Sequence, residues 1–240
     1  NDGMLHAFNA SSGKQLWAFI PPSLLQKLRT VISSKANTTN SIFGVDGNPV
    51  VKDIYYNNKW RTIALTGLGK GGNSYFALDI TDVNNPKHLF TVLNDPNFKE
   101  VSYWDSSGEK TVYSYNSTFF PNNDFNYSKL GEAWSTPRIL RMKINKKDKW
   151  VGVFGGGFNN AVSAEYGSAV FIIDLENGGK ILKKIDVADK SGNNIINSLP
   201  SAIIPITADG TALADYHGAM TYFADYEGKL WKLNLTDKGN

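Results

Sequence analysis

The sequence contains no cysteine among its 240 residues. This excludes disulfide bonds, thiolate metal ligands and a cysteine nucleophile. No apolar run approaches the roughly 20 residues that a membrane-spanning helix requires. Charge is nearly balanced, because 25 Lys and Arg residues face 22 Asp and Glu residues and leave a net charge of +3. A nucleic-acid-binding protein usually carries a dense basic stripe, so we expect no nucleic-acid partner and no membrane span in this sequence.

Apolar and aromatic residues are present in the proportions of a packed globular protein, at 41% and 12%. The chain opens inside a turn, Asn1-Asp2-Gly3, and closes on Lys238-Gly239-Asn240. We therefore expect it to be a piece of a longer polypeptide, whose other parts would carry any targeting signal.

A short apolar strand that ends in Asn or Asp and leads into a turn occurs four times. The four copies are Gly3–Asn9, Asn73–Asp79, Ser168–Asp174 and Gly228–Asn234. Internal repeats of this kind are typical of stacked or radial architectures. Repeated units of four short strands with little helix are typical of propeller blades. A β-sandwich is the competing all-β fold, but it does not predict repeated four-strand units.

The pattern therefore predicts an all-β protein, a single β-propeller domain over residues 1–240 with four-stranded antiparallel blades. About three blades and part of another are visible. Closed propellers have roughly four to eight blades, so we expect an incomplete ring. One short helix is predicted over residues 23–32, where Ser23 has the character of an N-cap.

Residues 93–129 differ from the rest because they are polar and rich in aromatic residues, and we call them the aromatic segment. A connection this long usually carries structure or a function. We predict a contact surface here, formed by Trp104, Tyr113, Tyr115, Phe119, Phe120, Phe125 and Tyr127. The alternative is a loop that packs its own aromatic side chains against the flank of the propeller.

The sequence offers no convincing catalytic or cofactor motif. Gly67–Gly72 has the spacing of a dinucleotide-binding fingerprint, but that motif requires a helix to follow. A strand pattern follows instead, which favours a glycine turn between strands. His6, His88 and His217 lie in different units without the spacing of metal ligands. We predict no catalytic residue and no confident cofactor.

A calcium ion is the one metal that the pattern leaves open. Asp209 and Asp215 lie in glycine-containing turns, and calcium loops place oxygen ligands at alternate positions around such a turn. Neither turn has the full run of Asp and Asn residues, so we predict at most a degenerate calcium loop. The alternative is a pair of solvated turns.

Several motifs follow one another along nearly the whole chain. They are Asn1–Phe8, Phe19–Pro22, Val45–Val50, Trp60–Thr62, Gly67–Gly72, Tyr75–Asp79, Trp134–Arg138 and Gly228–Leu233. In this order they resemble the type IV pilus tip adhesins of the PilC/PilY type. The resemblance implies a C-terminal β-propeller domain of a secreted bacterial protein. Members of that family often carry a calcium loop just before the last motif.

The same resemblance implies a location at the pilus tip or outer membrane, reached through the periplasm. The implied partners are minor pilins of the pilus tip complex and a host-cell or abiotic surface. The implied role is non-enzymatic support of type IV pilus biogenesis, twitching motility and adhesion.

Residues Leu5–Trp17 also resemble the repeats of quinoprotein dehydrogenases. That alternative would be an enzyme with a bound quinone, a calcium ion and a general-base Asp. Many such enzymes stack a disulfide of adjacent cysteines on the quinone, which this sequence cannot form. A third interpretation is a structural scaffold, such as an outer-membrane assembly factor.

Overall fold

A computed structural model describes residues 3–28, 30, 42–116, 124–159, 166–188, 197–207 and 219–235 of the chain. Within these ranges the regular structure is fifteen β-strands and two 3₁₀ helices, Pro22–Lys27 and Leu175–Asn177. The strands form four sheets in which every neighbouring pair is antiparallel and the order across each sheet follows the chain.

The strands divide among the sheets as consecutive groups. Sheet I contains β1 (Leu5–Phe8) and β2 (Gln15–Phe19). Sheet II contains β3 (Val50–Tyr56), β4 (Lys59–Gly67), β5 (Ser74–Asp79), β6 (Lys87–Asp95), β7 (Glu100–Trp104) and β8 (Lys110–Ser114). Sheet III contains β9 (Arg138–Ile144), β10 (Lys147–Gly155), β11 (Ala169–Asp174) and β12 (Lys180–Asp186). Sheet IV contains β13 (Ile204–Thr207), β14 (Ala219–Ala224) and β15 (Leu230–Asn234).

Each sheet packs face to face on the next one in the chain, through three separate apolar cores. Sheets I and II meet where the rings of Phe19 and Phe76 lie 5.5 Å apart. Sheets II and III meet where Tyr75 stacks on Phe154 at 3.9 Å. Sheets III and IV share the third core, to which Phe223 belongs. This serial packing of twisted antiparallel sheets confirms the predicted β-propeller fold.

Two central strands, β5 and β11, are buried along their whole length. Successive side chains of a strand point to opposite faces, so each strand supplies two cores. In β5, Tyr75 enters the core with sheet III and Phe76 the core with sheet I. In β11, Phe171 enters the core with sheet II and Ile172 the core with sheet IV. Their continuous apolar sequences follow from this burial on both faces.

The recurrent Asn or Asp at the end of these strands closes the following turn. The carboxylate oxygen of Asp79 accepts a hydrogen bond from the Thr81 N–H at 3.0 Å. That of Asp174 accepts one from the Glu176 N–H at 3.0 Å. Each carboxylate also meets a basic side chain of the preceding strand, Arg61 at 2.9 Å for Asp79 and Lys149 at 2.5 Å for Asp174. The repeat seen in the sequence is therefore a repeat of turn chemistry.

The aromatic segment changes the predicted blade. Its first residues complete β6, which runs to Asp95, and the hairpin β7–β8 then adds two strands to the same sheet. Sheet II thus has six strands, and the predicted four-strand unit holds for sheet III. An edge strand has unpaired N–H and C=O groups, so the antiparallel hairpin simply continues the ladder of β6.

The predicted helix over residues 23–32 is only partly confirmed. A 3₁₀ helix begins at Pro22 and ends at Lys27, while residues 29 and 31–32 lie outside the described ranges. The prediction of Ser23 as N-cap is wrong, because Pro21 holds that position and no side chain caps the helix. The Ser23 hydroxyl instead accepts a hydrogen bond from the Ser74 hydroxyl at 2.9 Å.

The last part of the aromatic segment is tied to sheet III by Lys184. Its ammonium donates a hydrogen bond to the Asn126 carbonyl at 3.0 Å. Burial, together with nearby Lys129, lowers the pKa of Lys184 to about 8, against the attraction of Asp186. In the unfolded chain a lysine has a pKa near 10.4. The charged form of Lys184 therefore costs stability below about pH 8.

We expect Lys184→Met to have a higher free energy of unfolding than the unmodified protein. This difference should be larger at about pH 7 than at about pH 10. Between those pH values the unfolded state binds more protons at this site than the folded state, so the unmodified protein gains stability as pH rises. Urea unfolding at both pH values measures the difference. Lys183→Met, at an exposed neighbouring position, is the control and should show little pH dependence. An equal effect of Lys184→Met at both pH values would contradict the assignment.

Candidate interaction surface

Two glycine loops connect the second and third strands of sheets II and III. They are Gly67–Gly72, which begins at the last residue of β4 and leads to β5, and Gly155–Gly157, which begins at the last residue of β10. Each loop is bonded to the segment that leads to the next sheet. The Gly69 N–H donates to the Ala133 carbonyl at 3.1 Å, and the Gly157 N–H donates to the Leu199 carbonyl at 3.0 Å. We call these two loops, with residues 131–134 and 197–199, the glycine belt.

Glycine is required in the belt because neighbouring backbones approach too closely for a side chain. A Cβ atom on Gly67 would lie 2.6 Å from the Ala133 carbonyl oxygen. One on Gly155 would lie 2.4 Å from the Leu199 carbonyl oxygen. Strand β5 follows the first loop, so the interpretation of Gly67–Gly72 as a glycine turn is confirmed. The dinucleotide spacing is a consequence of close backbone packing.

Three aromatic side chains form a line across the belt, and we call them the aromatic row. They are Trp134, Phe158 and Tyr226. The Trp134 and Phe158 rings lie 5.3 Å apart, and the Phe158 and Tyr226 rings also lie 5.3 Å apart, edge to face. Trp134 is 46% exposed and Tyr226 is 63% exposed. The row therefore presents aromatic surface from three different parts of the chain.

The backbone beneath the row is held by paired hydrogen bonds. Glu132 and Phe158 exchange N–H to C=O bonds at 2.9 and 2.8 Å. The Tyr226 N–H donates to the Ser198 carbonyl at 2.8 Å. In addition, the Trp134 indole N–H donates to the Glu132 carboxylate at 2.9 Å. The row is thus positioned by hydrogen bonds between loops as well as by its own side-chain packing.

The turn that carries Tyr226 depends on Asp225, which is only 7% exposed. One carboxylate oxygen accepts from the Glu227 N–H at 3.0 Å and from the Lys229 N–H at 2.8 Å. The other accepts from the Trp231 indole N–H at 2.8 Å. Asp225 therefore connects the turn to strand β15.

Charged residues border the row at its Trp134 end. A small cleft of 160 Å³ there is lined by Asp46, Asn48, Lys70 and Trp134, among others. The Lys70 ammonium lies 4.6 Å from the centre of the Phe43 ring. An aromatic centre with a charged rim is the usual composition of a protein interface.

Lys27 contacts the first glycine loop near the Trp134 end of the row, because its ammonium donates a hydrogen bond to the Gly71 carbonyl. Burial lowers the pKa of Lys27, and the carboxylate of Glu132 opposes that shift.

The comparisons with known proteins agree with this architecture. The model of the PilY1 β-propeller domain family matches residues 1–240. The chain belongs to the PilY1 β-propeller family. A type IV pilus biogenesis factor PilY1 of Pseudomonas aeruginosa strain PAO1 is 31% identical over 237 residues, and a PilY1 homologue of Xylella fastidiosa is 28% identical over 245 residues. These matches cover 98% and 99% of this chain.

A solved structure supports the same assignment. The crystal structure of the P. aeruginosa PilY1 C-terminal domain matches with a TM-score of 0.62 and 27% identity, over 98% of this chain and 37% of that one. The chain spans only 16% and 14% of the length of the two curated relatives. The resemblance to PilC/PilY proteins noted in the sequence is thereby confirmed.

Most of the side chains predicted to form a contact surface in this PilY1 family member are buried or partly buried. Trp104, Phe125 and Tyr127 are buried, and Tyr113 and Tyr115 are partly buried against the core between sheets II and III. Phe119 and Phe120 lie outside the described residues. This packing supports the alternative in which the aromatic segment covers the propeller flank, while a contact role for it stays a prediction.

The predicted calcium ligands, Asp209 and Asp215, also lie outside the described residues. Over the described ranges, no group of three or more His, Asp or Glu side chains is placed to hold a metal ion. Calcium binding therefore stays a prediction. No helix in the described part of the chain is long and apolar enough to cross a membrane.

The sequence reasoning missed the aromatic row as a site. In the sequence, Trp134 belongs to one of the family motifs, whereas Phe158 and Tyr226 belong to none of them. A signal was present, because turns and loops usually consist of Gly, Asn, Asp, Ser and Pro. A bulky aromatic residue in three such places is unusual, but the spacing in sequence does not show that the three meet.

We expect Gly155→Ala to lower the free energy of unfolding by about 1–3 kcal/mol, because the new methyl group would press on the backbone of Leu199. Urea unfolding measures the loss. The control is Gly13→Asn, at a left-handed turn position with open space around it. Asn tolerates that conformation, so the control should change stability little. Equal losses in the two variants would contradict a close-approach role for Gly155.

We expect Asp225→Ala to cost about 1–3 kcal/mol, because it removes three hydrogen bonds and leaves the Trp231 indole N–H without its partner. The matched control is Asp105→Ala. Asp105 caps a similar turn by accepting from the Ser107 and Glu109 N–H groups, but it is half-buried, whereas Asp225 is buried. Unfolding in urea should show a clearly smaller loss for the control. An effect of Asp105→Ala as large as that of Asp225→Ala would refute the special role of Asp225.

Proposed function

We propose that this chain is the propeller part of a non-enzymatic pilus tip protein that supports type IV pilus biogenesis. The observation that carries the proposal is the family match over residues 1–240. It is supported by relatives from two bacterial genera that are named as type IV pilus biogenesis factors. The finer roles that we propose are support of twitching motility and adhesion to host cells or abiotic surfaces. The proposed location is the bacterial cell surface.

We assign the docking of minor pilins to the aromatic row. Trp and Tyr are over-represented among residues that dominate binding energy, and Trp134 and Tyr226 are the exposed members of the row. The Trp134 N–H donates to the Glu132 carbonyl at 2.8 Å and the Tyr226 N–H donates to the Ser198 carbonyl at 2.8 Å, so both residues are positioned before any partner arrives. A preformed surface loses little conformational entropy on binding, which favours a stable tip complex.

The proposal is tested in the bacterium that encodes the protein, with the gene deleted and then restored as the unmodified form or the double variant Trp134→Ala/Tyr226→Ala. We expect the deletion to reduce surface pili and the twitching zone. The double variant should do the same while its level and thermal stability stay unchanged. Retention of minor pilins by the purified protein should fall at least about tenfold.

Trp60→Ala is the matched control, because Trp60 is 62% exposed but lies in strand β4, away from the row. It should leave pili, twitching and pilin retention unchanged. Normal pili in the deletion strain would overturn the proposed function itself. Normal pilin retention by the double variant would overturn only the role of the row.

The enzymatic alternative, a quinoprotein dehydrogenase, has its own test. The purified protein is incubated with pyrroloquinoline quinone, Ca²⁺ and an alcohol, and reduction of a dye is followed. We expect no reduction above that of the quinone and Ca²⁺ alone. Quinone-dependent turnover would favour the enzyme.

A further inference from the structure

A second cleft, of 270 Å³, lies between the 3₁₀ helix Pro22–Lys27 and the hairpin β7–β8 of sheet II. None of its lining residues belongs to the aromatic row. The hairpin is part of the aromatic segment, so the two added strands of sheet II create this cleft. Its walls are held independently of any ligand. The Ser23–Ser74 hydrogen bond ties the helix to β5, and the ladder between β6 and β7 holds the hairpin.

Two aromatic rings give the cleft its apolar surface. Phe98, in the turn between β6 and β7, is 75% exposed. Trp104 is largely buried, and the ammonium of Lys110 lies 5.2 Å from the centre of its ring. The Phe98 ring is large and apolar, so its exposure to water is unfavourable in free energy. A ligand with an apolar face that covers the ring would remove this unfavourable contact with water.

The polar groups of the cleft include both hydrogen-bond acceptors and donors. Glu100 contributes a carboxylate that has no hydrogen-bond or ion-pair partner in the described part of the chain. Asp95 contributes a second, one oxygen of which already accepts from the backbone N–H groups of Asn97 and Phe98, at 3.1 and 3.4 Å. Lys110 contributes N–H donors, and Gln26 contributes an amide that both donates and accepts.

This composition selects among the classes of ligand. An anion would face two carboxylates, and an organic cation would face the Lys110 ammonium and leave its donors unused. A purely apolar ligand would bury all of these charges without partners, at a high cost. Hydroxyl groups both donate and accept, so several of them on one molecule satisfy carboxylates, amide and ammonium together.

We propose that this cleft binds a neutral carbohydrate unit. The apolar C–H face of the sugar lies on Phe98, and its hydroxyl groups donate to Glu100 and Asp95 and accept from Lys110 and Gln26. The volume is below the roughly 300–1,000 Å³ of pockets that enclose drug-sized ligands, so the cleft takes one sugar ring of a longer glycan. The proposal does not depend on the proposed role in pilus biogenesis.

The test is saturation-transfer NMR on the purified protein with three separate probes, N-acetylglucosamine, galactose and mannose. We expect transfer to at least one of them, with a dissociation constant on the order of millimolar, as is usual for one small group in an open site. Agmatine, an organic cation, and sulfate, an anion, are run in parallel and should not compete with the sugar. Binding of agmatine or sulfate without any sugar binding would overturn the proposal.

Two variants locate the binding. Glu100→Gln keeps the shape of the side chain but removes a charged acceptor, and Phe98→Ala removes an exposed ring. Each variant should raise the dissociation constant for the sugar about tenfold. Trp60→Ala, an exposed aromatic residue outside the cleft, is the control and should bind as the unmodified protein does. Sugar binding that survives both cleft variants, or that Trp60→Ala abolishes, would refute this site.

Discussion

Burial of the central strands on both faces is the constraint on which the rest of this structure depends. Tyr75 and Phe76 are neighbours in sequence, yet they enter cores on opposite sides of sheet II. The central strand of sheet III is buried in the same way. Neither sheet can bury its apolar surface without a sheet on each side, because a single sheet has two faces to cover. This explains why sheets II and III each pack between two neighbouring sheets.

Close packing of the sheets then dictates the chemistry of the loops at one end. Where backbones meet, only glycine fits, as at Gly67 and Gly155. The same backbone contacts bring Trp134, Phe158 and Tyr226 into one row. The candidate interaction surface is therefore a consequence of inter-sheet packing, and backbone hydrogen bonds between neighbouring loops position it. The second cleft arises differently, from two strands added to the outer edge of sheet II.

Much of the fold could be predicted because its determinants are local. Asn9, Asp79 and Asp174, which end three of the repeated strands, each accept a hydrogen bond from the N–H group two residues further on. The turn chemistry is therefore visible in the sequence. The burial of the aromatic segment could not be predicted, because a run of aromatic residues has the same sequence whether it faces solvent or a core. Ser23 likewise has the character of a cap, but Pro22 starts the helix one residue earlier.

The sequence by itself determined the all-β class, the repeated strand-and-turn unit, the glycine turn at Gly67–Gly72 and the family, since each depends on residues close together in the chain. Only the tertiary structure decided that Phe125 and Tyr127 belong to the core between sheets II and III. It also decided that Trp134 and Tyr226 share one exposed row. These last features depend on which sheet faces which, and that is set by burial summed over many distant residues.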